Sequence, residues 1–276
     1  MPAQWCAVGG ERTGRLIDEG SGPPLIVFHG WNGSNHNVLR WLPALAPRFR
    51  VIVPDLPGCN GLPPLPERHT ARAYARFGRE LLDSMDVERV VVGGLCSGTA
   101  IALALAADAP DRVSGLLLHT PFLRPDLIRP LVRLQLAALS SPAGALFGPL
   151  RRNTALATLH RRLFANAAEV SGEQLAHDQS DLLGADVRAG RELAEELLRV
   201  DRSDELAAAR VPVAVLIAER DAFVDAPRTV AAVRDLAPRS AVETIPGGHG
   251  WTPAYVEHQT RALATLAGYL RGAVDA

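Results

Sequence analysis

Residues 90–110 read VVVGGLCSGTAIALALAADAP. The run Val90–Leu95 is apolar or glycine throughout, without alternation, as in a strand buried on both faces. The stretch from Ser97 to Ala109 is rich in Ala and Leu and stops before Pro110, so it reads as a helix. Between them lies Gly94-Leu95-Cys96-Ser97-Gly98. A residue on so tight a strand-to-helix turn has a strained backbone and a side chain pushed out above the sheet. Small residues two before and two after it let strand and helix approach. Gly94 and Gly98 hold those offsets around Cys96. Around Ser97 the same offsets fall on Leu95 and Thr99, so the geometry selects Cys96. Taken alone, the motif fits a buried structural cysteine at a βα turn equally well.

More strands of the same kind flank this stretch. Leu25 to Gly30 reads LIVFHG, Val51 to Gly58 reads VIVPDLPG, and Ser114 to Thr120 reads SGLLLHT. Before them, Trp5–Gly9 and Arg12–Asp18 suit a hairpin around Gly9, Gly10 and Glu11. Thr70–Met85 opens on a good N-cap and carries Tyr74, Phe77, Leu81 and Leu82 on one face, which predicts a helix. Alternating strand and helix implies a parallel sheet covered by helices. The rhythm breaks from Pro121 to Glu205, where no convincing strand occurs and short helices are interrupted by Pro142, Gly144 and Gly148. It returns with Val211–Asp221 (VPVAVLIAERD), Ala241–His249 (AVETIPGGH) and a closing helix over Thr252–Gly272. The expected class is α/β, a mostly parallel sheet flanked by helices. Its core is expected to comprise residues 1–120 and 206–276, with 121–205 inserted as a helical cap.

Composition narrows the chemistry. The chain has 276 residues and a net charge of -1, which gives no reason to expect nucleic acid or an anionic membrane as partner. Its first residues, MPAQWCAVGG, lack the basic start and apolar core of a secretion signal. The longest weakly polar stretch, Thr99–Ala107, is too short to span a bilayer. A cytoplasmic protein is expected. Cys6, Cys59 and Cys96 are three cysteines at irregular spacing, neither a disulfide framework nor a zinc pattern. There is no lysine, so Schiff-base, pyridoxal phosphate and P-loop chemistry are excluded. With abundant Ala, this suggests a GC-rich bacterial genome. No metal or organic cofactor is implied. The insertion is electrically lopsided: Pro121–Ala165 holds seven Arg and one Asp, whereas Asn166–Glu205 holds four Arg and eleven acids. The plain expectation is that the halves pack together and neutralise each other. A sharper one is that some Arg face the site and hold an anionic substrate group.

Two further elements turn Cys96 into a candidate nucleophile. Asp221 falls just past a late strand, and His249 lies between Gly248 and Gly250 after the last one. The order is Cys…Asp…His, each at the carboxyl end of a strand, where open α/β sheets place their sites. Glu219 and Asp225 are rival acids, and the loop spacing favours Asp221. A satisfied core histidine is the other reading of His249. His29-Gly30-Trp31 follows the first long strand, and a backbone N–H there, with that of Ser97, would face a developing oxyanion. His29 itself is read as supporting its loop. Trp31, Phe122, Phe223 and Trp251 flank these loops and would line an apolar substrate pocket, or pack beneath it.

The chain resembles the α/β-hydrolase superfamily over essentially its whole length, with a helical cap in the usual place. The resemblance rests on HGW at 29–31, DLPG at 55–58, GLCSG at 94–98, and the Asp221 and His249 loops. It implies a catalytic triad but no particular substrate. Two departures stand out. The family usually has serine at the elbow, and cysteine in a minority that includes dienelactone-hydrolase-like members. The DLPG loop usually continues Gly-x-Gly-x-Ser, whereas this chain has Gly58-Cys59-Asn60-Gly61. Cys59 and Cys6 are read as structural. The expected activity is hydrolysis of ester, thioester or lactone bonds in a small, partly apolar acyl substrate. Acyl transfer or cyclisation through the same thioester is the first alternative. A non-hydrolytic binding protein or isomerase is the second.

Overall fold

In the computed structural model the described residues are 4–8, 11–141, 153, 155, 172–248 and 253–275. Eight strands form one sheet: β1 (Gln4–Val8), β2 (Glu11–Glu19), β3 (Pro24–Phe28), β4 (Arg50–Pro54), β5 (Val90–Leu95), β6 (Val113–His119), β7 (Val213–Ala218) and β8 (Ala241–Ile245). Their order across the sheet is β1-β2-β4-β3-β5-β6-β7-β8. The β1–β2 and β2–β4 pairs are antiparallel; every later pair is parallel. The expected hairpin and parallel sheet are therefore both present.

The continuous apolar runs are explained by burial on both faces. Leu25, Ile26, Val27 and Phe28 of β3 are wholly buried, as are Val91 and Val92 of β5 and Leu116, Leu117 and Leu118 of β6. Each such side chain gains about 1.5–3 kcal/mol on leaving water. Helix α1 (Leu42–Leu45) is a single turn. Helix α2 (Ala71–Ser84) starts where the sequence placed it: the Thr70 hydroxyl accepts from the Ala73 amide at 3.1 Å. It lies so close to the sheet that a Cβ on Gly78 would stand 2.5 Å from the Phe28 ring. Helix α3 (Gly98–Asp108) is buried over most of its circumference, which suits its Ala and Leu content.

Between β6 and β7 the described residues form helices α4 (Pro130–Ser140), α5 (Gly172–Gly184), α6 (Val187–Leu197) and α7 (Ser203–Ala208). After β7 come α8 (Ala226–Leu236) and α9 (Pro253–Val274). No helix among the described residues is long and apolar enough to cross a membrane.

Several acids of residues 172–205 reach back to residues 68–72, while the Arg124 charge acts on Asp201. Glu192 accepts from the His69 amide and imidazole, both at 2.9 Å. Glu196 accepts from the Ala71 amide at 2.7 Å, at the first turn of α2, where a negative charge opposes the helix dipole. Glu195 pairs with Arg68 and Glu205 with Arg72. Helix α4 of the first half packs against α6 of the second, and four of the seven arginines on which mutual neutralisation turns, Arg151, Arg152, Arg161 and Arg162, lie outside the described residues.

Candidate active site

Cys96 follows β5 directly and has φ +56, the left-handed region that non-glycine residues seldom enter. Its neighbours explain how it is held there. A Cβ on Gly94 would stand 2.4 Å from the Gly98 carbonyl carbon and oxygen, and one on Gly98 would stand 2.2 Å from the Phe28 carbonyl oxygen. The Cys96 amide donates to the His119 carbonyl at 2.9 Å, which ties the elbow to β6. Thr99 locks it from the helix side: its hydroxyl donates to the Cys96 carbonyl at 2.5 Å and accepts from the Phe122 amide at 3.0 Å. The Cys96 side chain is a free thiol, largely buried.

Asp221 lies three residues past β7 and is fully buried. Oδ1 accepts from the amides of Phe223 (2.8 Å) and Val224 (3.0 Å), and Oδ2 accepts from the Thr120 hydroxyl at 3.0 Å. The two rivals are engaged otherwise. Glu219 is exposed, and Asp225 caps α8 by accepting from the Arg228 amide. The Asp221 loop is also bonded to the segment after β8: Glu219 N donates to Ile245 O and Arg220 N to Gly247 O, both at 2.9 Å.

The third loop follows β3. His29 is buried, its Nδ1–H donating to Gly30 O at 2.9 Å while Nε2 accepts from the Leu56 amide at 3.0 Å. Burial holds its pKa below the ordinary value despite the nearby Asp55 carboxylate, so it is a neutral brace between two loops. Gly30 lies against the nucleophile candidate: a Cβ there would be 3.3 Å from the Cys96 Cβ and 4.0 Å from Sγ. The Trp31 indole donates to the Gly190 carbonyl on α6 at 2.8 Å. Among the described residues, no hydrogen bond engages the main-chain amides of Trp31 and Ser97. The DLPG loop docks the same helical segment: Gly61 N donates to Gly184 O at 2.8 Å, and Asp186 N to Gly58 O at 2.7 Å. Cys59 is buried beside Asp55, Asp181 and Asp186. Burial, then those charges, pushes its thiol far up, so it stays protonated.

Phe122 is buried and Phe223 partly so, their rings 6.5 Å apart and tilted at 53°. His249 and Trp251 lie outside the described residues. Among the described residues no cluster of three His, Cys, Asp or Glu is arranged to hold a metal. Sequence reading missed several residues that brace the site. Thr120 is one, and the only signal for it is its place just past a strand end. Others are Thr99 and Arg129, whose Nε donates to the Asp221 carbonyl at 2.7 Å. No local pattern marks the bonds of Thr120 and Arg129 to Asp221 or of Thr99 to Phe122, because those partners are remote in sequence.

Residues 23–251 match the family model of the alpha/beta hydrolase fold. The chain belongs to that family. Among curated proteins it is similar to the magnesium-chelatase 30 kDa subunit of Rhodobacter capsulatus, 38% identical over 136 residues, covering 42% of this chain and 45% of that one. It is also similar to the pimeloyl-[acyl-carrier protein] methyl ester esterase of Legionella pneumophila, 34% identical over 102 residues, covering 37% and 39%. The match thus spans less than half the length of either relative. Among solved structures, a bromoperoxidase from Bacillus anthracis superposes with TM-score 0.80 at 17% identity, covering 97% of this chain and 100% of that one. A thermophilic esterase from Thermogutta terrifontis gives 0.72 at 23%, covering 99% of each. At those identities the likeness speaks for the fold alone.

Proposed function

We propose that this α/β-hydrolase-fold protein is a hydrolase of ester, thioester or lactone bonds that works through Cys96, His249 and Asp221. The observation that carries the reading is the left-handed Cys96 on a strand-to-helix turn whose two flanking glycines leave no room for a Cβ. A structural cysteine has no need of that strain. The esterase among its relatives and the soluble epoxide hydrolase of Corynebacterium sp., 35% identical over 100 residues, favour hydrolytic chemistry.

In this mechanism the Cys96 sulfur bonds to the acyl carbon while His249 takes the thiol proton. The carbonyl electron pair moves onto oxygen, where the amides of Trp31 and Ser97 meet it. Collapse expels the alcohol or thiol, which receives the proton from His249 and leaves a thioester on Cys96. Water then attacks, His249 takes its proton, and the acid departs as the thiol is restored. Asp221 orients the imidazole and stabilises its charge. Trp31, Phe122, Phe223 and Trp251 wall an apolar pocket, and residues 121–205 serve as its cap, in a cytoplasmic protein that needs no cofactor. Because the intermediate is a thioester, an amine or alcohol competes with water wherever the cap keeps water out.

The test is a panel of acyl thioesters, p-nitrophenyl esters and lactones offered to the wild type and to Cys96→Ala. At least one is expected to be turned over, with loss of about a thousandfold or more in the variant. Equal activity in Cys96→Ala would remove the assignment. Products formed with added amine or alcohol distinguish transfer from hydrolysis.

A further inference from the structure

Thr120, the residue after β6, shares the unusual backbone of Cys96, with φ +52. A β-branched side chain in that region is a true outlier, kept only where its surroundings demand it. The surroundings here are polar and buried. Thr120 Oγ1 lies 3.0 Å from Asp221 Oδ2 and 3.2 Å from His119 Nδ1. A hydroxyl has one proton to give, and a carboxylate can only accept. Thr120 therefore donates to Asp221 and accepts from the Nδ1–H of His119. That tautomer leaves Nε2 as an acceptor, and the Gln259 amide nitrogen stands 2.9 Å from it, with the Tyr255 hydroxyl at 3.3 Å. The imidazole is stacked on Trp41, ring centroids 5.2 Å apart and planes at 21°. All six residues are buried.

The result is a line of hydrogen bonds that all point one way, from Gln259 through His119 and Thr120 to the acid. Its far end is helix α9, which begins four residues after His249. We propose that His119 and Thr120 are positioning residues of the reaction: they fix the Asp221 carboxylate and join it to the element that follows the His249 loop. This rests on the triad reading above. Neither residue touches substrate; both act through Asp221. The strain at Thr120 has a purpose on this account, since it turns the hydroxyl from the strand end toward the carboxylate.

The experiment labels Cys96 with iodoacetamide, read site by site by peptide mass, near neutral and at alkaline pH. The variants are Thr120→Ala, Thr120→Ser, His119→Phe and His249→Ala. With the acid poorly held, the imidazolium partner of the thiolate is less stable. Thr120→Ala is expected to slow labelling about tenfold near neutral pH and leave it unchanged at alkaline pH, where the thiol ionises unaided. Thr120→Ser restores the wild-type profile, and His119→Phe, which keeps the ring stack, shifts it the same way as Thr120→Ala. Should Thr120→Ala fail to fold, His119→Phe decides the matter alone. Slowing at both pH values alike, or no slowing while His249→Ala is slowed, overturns the positioning role. If His249→Ala also labels like the wild type, the triad reading itself falls, and the inference falls with it.

Discussion

A single methyl group separates Gly98 from alanine, and at this position there is no space for one. The carbonyl oxygen of Phe28 would stand 2.2 Å away, and it is backbone that cannot turn aside. Gly98→Ala is expected to cost about 3 kcal/mol or more of stability, as forced overpacking does. Urea denaturation of the two proteins checks this. The same residue shows what the sequence made legible. Gly-x-Cys-x-Gly between a β run and an Ala-rich helix announces close packing, because small side chains at those offsets have few other uses. Thr120 was opaque by comparison. Its hydroxyl matters only because Asp221 lies 101 residues further on, and no local pattern encodes so distant a contact.

At the scale of elements, the approach of α6 to the start of α2 is built from acids. Glu192 shows the balance. Burial alone would raise its pKa, but hydrogen bonds from the His69 amide and imidazole outweigh that and hold it below the ordinary carboxylate range. A folded-state pKa below the unfolded one gives stability that is complete above the unfolded value, about 4.3, and disappears as pH falls through the lower folded value. Glu192→Gln should therefore be less stable than the wild type by about 1 kcal/mol at neutral pH. The gap should close in acid, which melting curves between neutral pH and acid would reveal. Nearby, Arg202 is buried between Glu196 and Glu205, while burial raises the Glu196 pKa against the pull of that guanidinium. Helix existence here was readable from the chain, as the Thr70 cap illustrates. Docking was not, because charge counts carry no information about which arginines and amides lie nearest.

Across the whole molecule, the strands were legible because a parallel sheet buries both faces and so leaves uninterrupted apolar runs. Their order was not, since β4 lies between β2 and β3 and no strand announces its neighbour. The order brings the ends of β3, β5, β6 and β7 together, and two main-chain bonds, Glu219 to Ile245 and Arg220 to Gly247, join the last two loops. Those bonds separate function from chain length. The turn between α8 and β8 lies at the far end of the β7–β8 pairing from these bonds, so a change in its length leaves the acid at its distance from the approach to residue 249. A short glycine-serine insertion between the exposed Pro238 and Arg239 is accordingly expected to leave turnover within about threefold of wild type. The same insertion between Ala222 and Phe223, where an amide clamps the carboxylate, should abolish it. Esterase assays on both proteins would show the contrast. A graft site is thus available at the 238–239 turn, where reporters or new termini can be introduced without disturbing the chemistry.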